Sequence, residues 1–211
     1  MAPVVEIVYI PSSEAYRKDP SLLNGLCEYT KNAKGCLGVY HGIQREDKKT
    51  LYLVVVWESV EAHYELINDK VIYPQLQEVL KPCVEGGSLH VLNMFHVPLS
   101  ASPASALNAP VTSFVHIYKL GAGRSFKDVQ PNLDQITTGV RHVQGAHGGA
   151  YGKLVERDEY VMLTGWDSVE IHLKALNDEK VIVDAAAALR ESQSEHTIKH
   201  VALTVYYKYQ G

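Results

Sequence analysis

What the chain lacks excludes several classes of protein. Cysteine is scarce: Cys27, Cys36 and Cys83 make an odd number, without a Cys-x-x-Cys pair. That argues against a disulfide scaffold and for reduced thiols in a cytosolic protein. No apolar run approaches the roughly 18 residues of a membrane span. The opening MAPVVEIVYIPSS carries no basic segment and places Glu6 inside its apolar stretch, so it does not read as a secretory signal. Charge is nearly balanced, with a net −4 across 211 residues, and no basic face is on offer for nucleic acid. Neither a GxGxxG nor a GxxxxGK[ST] loop occurs, and no serine sits in an elbow motif, so no nucleotide cofactor or serine nucleophile is expected. His142 with His147, and His196 with His200, are the nearest approach to metal-ligand spacing. Neither pair is joined by a third ligand nearby, so no metal is expected. Histidine and tyrosine, by contrast, are plentiful, at ten and thirteen residues.

The organising feature is an internal repeat. Trp57-Glu-Ser-Val-Glu-Ala-His63 recurs as Trp166-Asp-Ser-Val-Glu-Ile-His172, followed by Asn68-Asp69 and Asn177-Asp178. Upstream, Gly35-Cys-Leu-Gly38 aligns with Gly145-Ala-His-Gly148, and Glu6-Ile-Val8 is set opposite His116-Ile-Tyr118. Two copies are too few for a solenoid or propeller, so a duplicated domain is expected. The expected boundaries are 1–98 and 111–211. The small, proline-punctuated segment 99–110 reads as the linker, because Pro cannot continue a helix or an inner strand.

Within each copy, short β-branched runs alternate with segments of helical periodicity. The first reads as strand Val4–Ile10, helix Pro20–Lys34, strands Leu37–Ile43 and Thr50–Trp57, a two-part helix to Leu80, and strand Ser88–Val97. The second repeats this order, with Pro131 expected to mark the true start of its first helix and a last strand over 196–208. The result is a βαββαβ, ferredoxin-like unit with helices on one sheet face. The bare faces of two such units could cover one another, predicting an α+β pseudo-dimer within one chain, with room for further association of copies.

The Trp-x-Ser-x-Glu-x-His segment at this strand-to-helix junction resembles the dimeric α+β barrel superfamily, and more narrowly its antibiotic biosynthesis monooxygenase-like branch. Val115-His-Ile-Tyr-Lys119 is similar to the first strand of stress-responsive A/B barrel proteins, a group including polyketide cyclases that use a histidine there. The resemblance implies a pocket between helices and sheet in each copy. In the second copy His116, Tyr118, Tyr151, Trp166 and His172 would line it; in the first, Glu6, His41, Trp57 and His63. The expected function is a cofactor-independent enzyme acting on a small hydrophobic, aromatic or polyketide-like molecule. His116 would be the acid–base group, since an imidazole exchanges protons near neutral pH, with His172 assisting. The alternative is a non-catalytic small-molecule-binding or stress-response barrel protein.

Overall fold

A computed structural model describes residues 3–211. The chain forms two compact units: one runs to His96 and includes Thr204–Gln210, the other comprises Val97–Leu203.

In the first unit β1 (Val4–Pro11), β2 (Cys36–Ile43) and β3 (Thr50–Trp57) are joined by β4 (Asn93–Pro98) and β9 (Thr204–Tyr207), in the order β4-β1-β3-β2-β9. On one face lie α1 (Glu14–Lys18), α2 (Asn24–Lys31), α3 (Val60–Asn68) and α4 (Ile72–Leu80). The segment expected as one helix from Pro20 is a 3-10 turn over Pro20–Leu23 followed by α2. Its turn forms because the Asp19 carboxylate accepts the Ser21 N–H just ahead of Pro20. Similarly, Ser88–Val97 is a strand only from Asn93, since Leu89–Val91 is a 3-10 turn.

The second unit pairs β6 (Ala146–Lys153), β7 (Tyr160–Trp166), β5 (Val111–Leu120) and β8 (Gln193–Val201) in that order. The helices here are α5 (Ala104–Leu107), α6 (Phe126–Val140), α7 (Val169–Asp178) and α8 (Lys180–Ser192). Thus α5 lies within the segment read as a linker. Pro131 does not start α6. The helix begins at Phe126 because Ser125 and Asp128 form a reciprocal capping box, leaving Pro131 in the second turn without an amide to donate. Nor is 196–208 one strand: β8 pairs with β5, whereas β9 pairs with β2 of the first unit.

The duplication is visible in matching junctions. Gly35 and Gly145 both adopt positive φ, +81° and +82°, where a side chain is disfavoured. Their carbonyls accept the amides of Glu58 and Asp167, each at 2.8 Å. Ser59 and Ser168 then cap α3 and α7 in the same way. Strand register also corrects the alignment of the opening strands. Val4 pairs with Trp57 and Val111 with Trp166, so Glu6 is equivalent to Ser113, and His116 to Tyr9.

At the outer edge of the second sheet, residues 98–100 run against β6. The Ser100 amide donates to the Tyr151 carbonyl at 2.7 Å, and a Cβ on Gly152 would stand 2.1 Å from the Pro98 carbonyl oxygen. Gly152→Ala is therefore expected to push this segment off the edge and cost about 1–3 kcal/mol. Amide exchange at Ser100 should quicken. Unchanged protection there would show that the backbone absorbs the methyl.

Candidate functional site

Each unit buries an apolar chamber between its sheet and its helices. In the first unit the chamber is about 60 Å³ and is walled by Val8, Leu53, Val55, Trp57 and Leu66, with Glu6 and His63 among its lining residues. Glu6 is placed there by strand alternation, which puts it on the same face as Val4 and Val8. It is only 5% exposed, and such a carboxylate needs donors. The Trp57 Nε1–H supplies one at 2.8 Å, to Oε2. His63 Nδ1 lies 3.5 Å from the same oxygen and 2.7 Å from Nε2 of His96, a buried residue on β4. The His63 ring stacks on the Trp57 indole, with centroids 4.8 Å apart. The Tyr73 hydroxyl, another wall residue, is held above its usual pKa, first by burial and then by the Glu6 charge.

The second unit repeats the stack and the histidine pair but lacks the acid. His172 stacks on Trp166 at 4.7 Å, and its Nδ1 shares a 2.8 Å hydrogen bond with His200 Nε2. Burial, and then the neighbouring His200, push the His172 pKa down to about 3. Ser113 stands where the first unit has Glu6, so the Trp166 indole turns instead to the Thr164 hydroxyl at 2.8 Å. The Ser113 Oγ is buried without a hydrogen-bond partner among the described residues.

The other expected site residues are distributed differently. His116 and Tyr118 stack on each other at 4.0 Å on the sheet face opposite Val115 and Ile117, which pack on the helices. His116 bonds Glu159 through Nε2 at 2.7 Å, yet its pKa is lowered because desolvation outweighs that carboxylate. It lines neither chamber. Tyr151 does face the helices, but its hydroxyl donates to Asp134 on α6 at 2.5 Å. His41 occupies the equivalent place in the first unit, 2.8 Å from the Tyr16 hydroxyl, with a pKa lowered by burial. Sequence reasoning missed His96 and His200 as partners of the helix histidines. The available signal was a His-Val pair in the last strand of each copy, His96-Val97 and His200-Val201.

This architecture defines the class of fold: two ferredoxin-like copies in a single chain. Solved structures carry the same fold over nearly the whole chain. A proposed monooxygenase from Fusobacterium nucleatum matches with a TM-score of 0.68 at 12% identity, covering 99% of this chain and 95% of that one. A second proposed monooxygenase, from Lactobacillus acidophilus, gives 0.67 at 11% identity, covering 100% and 98%. An anthrone oxidase-like protein gives 0.66 at 11% identity, covering 97% and 94%. No family model and no curated protein matches the chain. Among the described residues, no helix is long and apolar enough to cross a membrane.

Proposed function

We propose that the first unit is a cofactor-independent acid–base site for a small hydrophobic or aromatic molecule, with Glu6 as the base. The carrying observation is that Glu6, Trp57 and His63 line one largely apolar chamber, joined by hydrogen bonds from Trp57 to Glu6 and between His63 and His96. In such a space the carboxylate takes an acidic C–H or O–H proton from the substrate, while the histidine pair relays or holds that proton. The Trp57 indole orients the carboxylate. In the oxygenase form of this chemistry, the substrate carbanion transfers an electron to O₂, and the two radicals combine to a peroxide anion. Glu6 returns its proton to give the hydroperoxide, and loss of water leaves a carbonyl, so that a CH₂ group and O₂ become C=O and H₂O. The fold shared with proposed monooxygenases and an anthrone oxidase-like protein supports this form over cyclisation.

The test is oxygen uptake by chelator-treated protein with anthrone and with smaller ketones that carry an acidic CH₂ group. Glu6→Gln keeps an acceptor for the Trp57 indole but cannot serve as the base. It is expected to slow turnover by about 10²–10⁴-fold with the fold intact. A variant retaining the full rate would remove Glu6 from the mechanism. The second unit, with Ser113 in this place, is read as a chamber that binds without turning over.

A further inference from the structure

A separate groove lies on the helical surface of the first unit, between α2 and α3. It measures about 710 Å³, within the range of small-molecule sites. Ala33, Ala62, Leu66 and Ile72 supply an apolar floor, and Glu28, Tyr29, Glu65 and Asp69 stand along the walls. Among the described residues no strand residue lines it, and only Leu66 is shared with the chamber beneath. Its three carboxylates face one lining cation, Lys34, whose 3.5 Å contact with Glu65 joins two exposed side chains and contributes little. Lys31, outside the groove, lies 3.5 Å from Glu28. The Asn32 amide and the Tyr206 hydroxyl hold the Glu28 carboxylate in place, each donating to one oxygen at 2.9 Å. The Tyr29 hydroxyl is tied to Gln75 at 3.0 Å, which anchors its ring.

The duplication shows which of these features the fold does not require. Counted from the matched glycines and serine caps, the second unit has Thr138, Gly139 and Lys174 where the first has Glu28, Tyr29 and Glu65. Val143 and Ile171 likewise replace Ala33 and Ala62, and the space there is two smaller grooves, about 590 and 350 Å³, with Val143 lining both. Small floor residues, an aromatic wall and two glutamates thus occur together in one copy, and none recurs at its counterpart in the other. We infer that the first unit's groove binds a hydrophobic primary ammonium, its aryl-alkyl body on the apolar floor and its charged end on the wall carboxylates. An ammonium offers three N–H donors to such acceptors, and the Tyr29 ring adds a surface that attracts cations. An anion would meet three like charges. The site is independent of the acid–base chemistry proposed for Glu6.

Calorimetric titration of the full-length protein with phenylbutylamine, phenylbutanol and phenylbutanoate tests it. The amine is expected to bind about tenfold more tightly than the neutral alcohol, and the acid more weakly than either. Added salt should shrink the advantage of the amine. Glu28→Gln and Glu65→Gln, both at exposed positions, should each weaken the amine about threefold and leave the alcohol unchanged. Ala62→Ile places the second unit's residue on the floor and should abolish binding of amine and alcohol alike. Ile171 already stands beside Gly145 as Ala62 stands beside Gly35, so the fold accepts this side chain, and circular dichroism checks that it does. Equal binding of the three probes would overturn the recognition of a cation. No binding, or amine binding indifferent to all three substitutions, would overturn the site. Glu6→Gln separates the groove from the acid–base chamber: it should slow oxygen uptake while leaving amine affinity unchanged. Loss of amine binding in that variant would place the amine in the chamber and overturn the groove.

Discussion

Trp57→Ala is expected to destabilise the first unit by about 3–5 kcal/mol through lost burial and the cavity left behind. Trp57 is fully buried and lies at the end of β3, where it joins the sheet to α3 through its stack on His63. A second cost follows from its indole N–H, which is a donor to the buried Glu6 carboxylate. Removing that donor is expected to add about 1–3 kcal/mol. Trp166→Ala should cost less, because the partner it abandons is the neutral Thr164 hydroxyl. Trp57→Phe isolates the polar part, since the ring area is largely kept and only the donor is lost. Urea titrations followed by far-UV circular dichroism would order the variants as Trp57→Ala, Trp166→Ala, Trp57→Phe, from most to least destabilised. If the two alanine variants prove equal, Glu6 does not depend on the indole.

Acid should unfold the second unit well before its carboxylates account for the loss. His172 titrates near 6.5 when unfolded and near 3 when folded. Below pH 6.5 the unfolded chain therefore binds a proton that the folded unit refuses. The stabilisation from this group is complete above pH 6.5 and declines as pH falls, by about 1.4 kcal/mol for each pH unit, until the folded pKa is reached. Over that window the loss is on the order of 4–5 kcal/mol, a large share of a typical domain's stability. His41 and His116, also lowered by burial, act with the same sign. His172→Gln keeps a polar partner for His200 but cannot titrate. Its stability between pH 6.5 and 3 should fall less steeply by about one proton. An unchanged slope would mean that His172 is protonated in the folded unit.

The sequence revealed some levels of this organisation and concealed others, for physical reasons. The repeat was legible at Trp57–His63 and Trp166–His172 because a strand end, a serine cap and a helix start impose different residue types at consecutive positions. Inside the opening strands no such punctuation exists. Val, Ile and Tyr satisfy either face of a buried strand, and a three-residue slip still aligns apolar with apolar. That slip set Glu6 opposite His116, when the register makes its counterpart Ser113. Strand parity then put His116 on the face away from the helices, out of the chamber that the resemblance implied. The helix histidines were visible, but their partners His96 and His200 follow them at spacings of 33 and 28 residues. Unequal spacing hides a shared pair from any fixed-period search.

The pairing of β9 with β2 has a consequence for how the chain is made. The first sheet lacks its last strand until residues 204–207 have emerged, although the rest of that unit is finished by His96. At typical elongation rates the interval is roughly 5–20 s. Throughout it, the backbone amides and carbonyls of β2 form an open edge able to recruit any other strand. During synthesis on a polysome, neighbouring nascent chains would expose identical edges at the same time. Chaperone demand should therefore fall on the half translated first, and a chain halted just before Thr204 should be more prone to aggregate than one carried four residues further.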